Sequence, residues 1–396
     1  MTPTVGHTGP GPLSGTDARE AARIVMGECP RLPFLPELAD RGIGADAVGR
    51  TGAMLADLPL DVSTRGWRLA GSVGRPARRA ADLLDRDADA LEEADEIARG
   101  VTVDRDLARE GRGRAGQEPV RPTERRLQVR VLGPWSLAAR LELPGGMPVL
   151  TDRGARRDLA ASLAEGAAAY AGRLGGRLGA GARILLDEPR LWHVAAGTVA
   201  GPSRFDPVPA VPAEQLSLSL CRFADALRTA GVAEVLVRAP GGAGPEAPAR
   251  WEVVSEPPRG ETPLDGLCVP AATLRAPGSG APGVGQREVD PATPDAARAA
   301  AHAALDAAGT VLGDGRLLHL EGLPGGGRTP RTGSEVEHAA VGVLDLLDRL
   351  AASRCASLDR LVLTPTAGEV TTGREDAVAA LAAVRRVAEA TPPAAE

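Results

Sequence analysis

Short apolar runs alternate with longer stretches rich in Ala, Leu, Arg and Glu along most of this chain. That alternation predicts parallel strands joined by helical crossovers, because a parallel neighbour needs a long connection and a helix covers the sheet it crosses. The clearest strands are Leu127–Leu132, Arg183–Leu186, Glu234–Val237, Gly266–Val269, Arg316–Leu320 and Arg360–Leu363, with weaker ones at Thr8–Leu13 and Leu58–Val62. Together they make eight, the number that closes a barrel. The expected fold class is α/β, a single (β/α)8 TIM barrel over residues 1–396.

The intervening helices carry their own signals. Thr16 or Asp17 caps one that runs to about Gly27, and Thr151 or Asp152 opens another reaching about Leu174. Others are expected over Pro76–Gly100, Pro212–Gly231, Pro294–Ala308, Ser334–Ala352 and Gly373–Ala388, the last two with apolar residues at i, i+3 and i+4. Three stretches break the pattern. Residues 101–126 are nearly all Arg, Glu, Asp and Gly, while 239–262 and 275–292 are dense in Pro, Gly and Ala. They read as mobile insertions on the barrel.

Composition removes several function classes. All 46 basic residues are Arg, with no Lys anywhere, so neither a Schiff-base lysine nor a P-loop lysine exists. A net charge of −6 and only 2% aromatics argue against a nucleic-acid partner. Cys29, Cys221, Cys268 and Cys355 are too few and scattered for a disulfide framework. The first residues lack a charged region followed by an apolar run, and no apolar stretch is long enough to span a bilayer. No membrane role and a cytoplasmic location are expected; the oligomeric state is open.

Chemistry is expected at strand ends. Leu185-Leu186-Asp187-Glu188-Pro189 places adjacent carboxylates where a strand leaves the barrel. Side chains alternate along a strand, so one of the two faces the mouth. A carboxylate there can bind a substrate ammonium group or move a proton. Gly133-Pro134-Trp135-Ser136 ends another strand, and Trp135 is placed to line a pocket. Cys268, His319 and Glu321 lie on strands expected to be neighbours.

The order Val-x-Val-x-Gly-Pro-Trp-Ser-Leu-Ala (129–138), Leu-Asp-Glu-Pro (186–189) and Leu-Thr-Pro-Thr-x-Gly (363–368) resembles the catalytic domain of cobalamin-independent methionine synthase, in its short single-barrel form. Gly11, Gly15-Thr16-Asp17, Leu35-Pro36-Glu37-Leu38, Gly44-Ala45-Asp46, Gly66-Trp67-Arg68-Leu69 and Arg157-Asp158-Leu159-Ala160 add to it. The resemblance covers most of the chain outside the three insertions. It implies methyl transfer to homocysteine in methionine biosynthesis, on a zinc ion that makes the homocysteine thiolate available. By the same resemblance Asp187, Gly11 and Trp135 are the substrate-binding candidates, with Asp187 contacting the amino group. The chain departs at the zinc ligands: Arg238 follows the strand where the family has His-x-Cys, and Ala367 stands for a cysteine. Pro12 replaces a serine, and Phe34 a histidine. No metal, no other cofactor and no identifiable catalytic residue are therefore expected. The alternative is a catalytically inactive barrel relative that binds a small amino acid, a carboxylate or a protein partner.

Overall fold

The computed structural model describes residues 4–110, 125–201, 207–240, 246–275, 294–324, 329–353 and 357–391, with backbone alone for 101–110 and 294–296. Strands β1 (Gly6–His7), β4 (Arg126–Leu132), β5 (Gly181–Asp187), β6 (Glu234–Arg238), β7 (Gly266–Pro270), β8 (Leu317–Glu321) and β9 (Leu361–Thr364) form one curled sheet. Its order is β1-β9-β8-β7-β6-β5-β4, and every pairing is parallel. Helices between successive strands cover the outer face, as parallel crossovers must.

The expected eight-stranded ladder is seven-stranded. Leu58–Val62 was expected to supply a stave, but β2 (Leu60–Ser63) pairs antiparallel with β3 (Gly66–Leu69) as a separate hairpin. An alternating apolar pattern is the same in both settings; Gly66, at φ +141°, supports the tight return. Thr8–Leu13 also differs, because regular pairing stops at His7. Pro10 and Pro12 have no N–H to give a ladder.

Between β1 and β4 runs an irregular segment containing Pro33 and Pro36. On one side Leu35 N donates to Gln128 O (3.0 Å) and Gln128 N to Pro33 O (2.8 Å). On the other, Leu13 N donates to Glu37 O (3.0 Å) and Glu37 N to Gly11 O (2.9 Å). Prolines at alternate points reduce what would be a strand to isolated bridges.

Helix α1 (Ala18–Glu28) starts where Asp17 accepts from the N–H groups of Arg19 and Glu20. Helix α2 spans Ala47–Gly52, α3 spans Arg75–Glu110, α4 spans Pro134–Arg140 and α5 spans Arg153–Leu178. Asp152 caps α5, and Gly179 in the left-handed region ends it. Of the three expected insertions, 111–124 and 276–293 lie outside the described residues, as do 241–245. Helix α3 continues through Glu110, and Ala247, Trp251, Val253 and Val254 are buried. Trp251 packs edge-on against Trp192, with ring centroids 5.9 Å apart.

The main apolar core lies between sheet and helices. A smaller cluster of Leu185, Leu236 and Cys268, with Leu317 against it, is separate. Alternation explains it: Arg183, Leu185 and Asp187 share one face of β5, as Glu234, Leu236 and Arg238 do on β6. This is the concave face, where Arg183 Nη1 reaches His319 Nε2 across the interior at 3.1 Å. No helix among the described residues is long and apolar enough to cross a membrane.

Candidate functional site

Parallel strands in register bring their C-terminal ends to one edge, so the residues that end them meet. The register aligns Asp187 with Arg238, Arg238 with Cys268, and Cys268 with His319. Glu321 closes β8 and pairs in register with Thr364. Across the gap, Arg130 on β4 faces Glu37 on the proline-rich segment.

These side chains form a chain of alternating charge. Arg130 Nη1 donates to Glu37 Oε2 at 2.8 Å, and its Nη2 donates to Asp187 Oδ2. Arg238 Nη1 donates to Asp187 Oδ1 at 3.0 Å and its Nε to Glu321 Oε2 at 2.7 Å. Asp187 is 2% exposed, and both of its oxygens are engaged. Burial opposes charge on Arg130, but Glu37 and Asp187 outweigh it and raise the guanidinium pKa. Arg238 behaves alike: burial works against its charge, Glu321 and Asp187 overcome it, and the pKa rises.

Asp187 therefore faces the mouth. Glu188 turns the other way. It is fully buried, and its carboxylate accepts from Trp135 N (3.1 Å) and Ser136 N (2.7 Å) at the start of α4. Burial pushes its pKa up to about 7 against these stabilising bonds. Gly11, at φ +105°, lies beside the charges: a Cβ there would meet Glu37 Oε1 at 3.0 Å and Arg130 Cδ at 3.2 Å. Trp135 is buried, its Nε1 donates to Ser219 Oγ (2.7 Å), and the Arg156 guanidinium sits 5.2 Å from its ring centre.

Cys268, the register partner of Arg238, is buried against Leu185 and Leu236, and burial foremost, then Glu321, pushes its thiol well above the ordinary value. His319 is buried too. Desolvation and then Arg183 hold its pKa well below 6.5, so the ring is neutral and faces the guanidinium. Arg183 also pairs with Glu234, which Arg126 meets at 3.3 Å. The sequence had placed Cys268, His319 and Glu321 on neighbouring strands. They are neighbours, but His319 is engaged with Arg183 and Glu321 with Arg238. Among the described residues, no three His, Cys, Asp or Glu gather closely enough to hold a metal ion.

Open space at the mouth is small. A cavity of about 10 Å³ is lined by Glu37, Arg50, Thr51, Arg130 and Asp187 among others, enough for about one water. Arg50 gives Nη1 to Asp87 (2.8 Å), which Arg41 also pairs, while Arg50 Nη2 and Arg130 Nε are buried without an acceptor among the described residues. Sequence reasoning missed Arg130, Glu37 and Arg50. The period-2 pattern could have put Arg130 on the face of β4 that points inward, but the Glu37 and Arg50 contacts depend on tertiary packing.

No family model matches the chain, and no curated protein does. Among solved structures it is similar to a B12-independent methionine synthase from Shewanella sp. W3-18-1 in complex with selenomethionine. That match has 14% identity and a TM-score of 0.38, over 67% of this chain and 62% of that one. It is also similar to a methyltransferase from Methanosarcina mazei, at 13% identity and a TM-score of 0.45, over 96% of this chain and 93% of that one. The chain thus spans about three-fifths of the length of the first.

Proposed function

We propose that this chain is a barrel relative of the methionine synthase type that binds a zwitterionic amino acid at its mouth, without zinc and without methyl transfer to homocysteine. On this reading the proline-rich segment at 31–37 is the eighth stave of a (β/α)8 barrel, hydrogen-bonded on both edges. The observation that carries the proposal is the double pairing of buried Asp187 with Arg130 and Arg238.

A ligand entering the mouth must displace an existing ion pair. A simple carboxylate that captured Arg238 would draw it from both Glu321 and Asp187 and leave buried Asp187 with Arg130 alone; breaking a buried pair costs up to about 3–5 kcal/mol. A simple amine that captured Asp187 would leave three cations around one carboxylate, with Arg238 held by Glu321 and Arg130 by Glu37 alone. A zwitterion restores both partners, its carboxylate on the guanidinium and its ammonium on Asp187. Arg50 and Arg130 line the adjoining cavity and supply positive charge for a carboxylate. Homocysteine- and methionine-like molecules belong to this class.

Zinc suits the donor set poorly. The Arg238 guanidinium lies between the carboxylates of Asp187 and Glu321, where a permanent positive charge repels a divalent cation. Zinc binds thiolate, and burial pushes the Cys268 thiol pKa up, against the ionised form.

Calorimetric titration tests the reading. L-Methionine and L-homocysteine are expected to bind, whereas 4-(methylthio)butanoate and 3-(methylthio)propylamine, each lacking one charge, bind at least about tenfold more weakly. Asp187→Asn should abolish the preference for the ammonium group. Equal affinity for all of these ligands, or none for any of them, defeats the proposal.

A further inference from the structure

The charges at the mouth can act only if the strand ends hold still, and one buried side chain stands behind them. We infer that Glu188 is a positioning residue: without touching the ligand, it fixes the strand end that presents Asp187 to Arg130 and Arg238. The inference rests on the amino-acid-binding reading for its effect on affinity, though not for its effect on the mouth itself.

The backbone around Asp187 is gripped from both sides. Gly133 N donates to Asp187 O at 2.8 Å, and Glu188 N donates to Arg238 O at 3.0 Å. The Glu188 carboxylate then takes the N–H groups of Trp135 and Ser136, just beyond β4. Ser136 Oγ in turn accepts from Arg190 N at 3.0 Å, which returns the chain after Glu188 to the same turn. One residue thus ties the ends of β4, β5 and β6. These are the strands that carry Arg130, Asp187 and Arg238.

The fit leaves little freedom. A Cβ on Gly133 would lie 2.3 Å from Glu188 Oε1, so the carboxylate occupies space that only glycine leaves there. The carboxyl has no exposed surface, so losing it leaves Trp135 N and Ser136 N buried without an acceptor. The strand ends would then shift, and Asp187 would lose its alignment with one guanidinium or the other. Cys268 pairs in register with Arg238 and is 3% exposed, so its accessibility reports whether the charged layer above it has opened.

The test compares the wild-type protein with Glu188→Gln and Glu188→Ala at a temperature where circular dichroism shows all three folded. Two quantities are read: L-methionine affinity by calorimetry, and iodoacetamide labelling of Cys268, mapped by mass spectrometry with buried Cys29 and Cys221 as internal references. Gln keeps one acceptor but presents an amide NH2 toward a backbone N–H. Glu188→Gln should therefore weaken L-methionine about tenfold, the loss of one charge-assisted hydrogen bond, and Glu188→Ala should weaken it more. Labelling of Cys268 should rise several-fold in both, while Cys29 and Cys221 stay at wild-type rates. Faster labelling of all three cysteines would mean general loosening and overturn the positioning role, as would unchanged Cys268 labelling. If the wild-type protein binds no amino acid, the ligand reading falls by itself. Selective exposure of Cys268 would then still support the positioning role of Glu188.

Discussion

A guanidinium keeps its charge at any accessible pH, so Arg130, Arg183 and Arg238 are fixed cations in the interior of this sheet. The titrating residues around them set its response to acid. His319 is neutral in the folded protein because burial and Arg183 lower its pKa. An unfolded histidine takes up a proton near 6.5 while the buried ring does not, so the stability linked to His319 is present above 6.5 and is lost as the pH falls from there through the lowered folded pKa. Glu188 acts in the opposite sense. Its folded pKa is raised to about 7 from an ordinary 4.5, so the stability it contributes is present below 4.5 and lost as the pH rises through about 7. Denaturant titrations from about pH 5 to 7 should therefore show a shallower loss of stability on acidification in His319→Gln than in wild type. An unchanged acid limb would contradict the neutral-histidine assignment. Strand alternation told that one of Asp187 and Glu188 would face the mouth, and the resemblance, not the alternation, singled out Asp187. Its occupation by Arg130 and Arg238 was not legible in the sequence, since those partners are brought in by register and packing.

Secondary elements differ in how openly the sequence announces them. The caps at Asp17 and Asp152 mark helices α1 and α5 because an Asp side chain meets N–H groups that no earlier turn can satisfy. Strands broken by Pro10, Pro12, Pro33 and Pro36 announce themselves poorly, since a missing N–H turns a ladder into scattered bridges. The hairpin at Leu60–Leu69 escaped for a different reason: period-2 alternation does not say which sheet a strand joins. Packing between elements also overrides local preference. Gly166 sits inside α5, where Ala has the better helix propensity by about 1 kcal/mol. Yet a Cβ at this position would lie 1.7 Å from Met54 O, in the loop that Ser162 bonds through Ala56 O. Gly166→Ala is expected to destabilise by about 1–3 kcal/mol, as overpacking does. A melting temperature equal to or above wild type would show that the loop gives way freely.

Over the whole molecule, the parallel α/β architecture follows from alternating apolar runs and helices. Its interior contrasts with the usual layered apolar filling of such sheets. Leu185, Leu236 and Cys268 form a thin apolar layer, with Arg183, His319 and Glu234 on one side and the chain of charges from Glu37 to Glu321 on the other. Buried ions of this kind stabilise little in themselves, but each punishes the loss of its partner. On the proposed reading the mouth is bridged by its own charges and has no place for a metal. Zinc content tests that most directly. Protein purified with zinc supplied should hold well under one equivalent per chain and consume no homocysteine thiol in the presence of a methyl donor. One tightly held zinc per chain, lost on Cys268→Ala, would contradict the account.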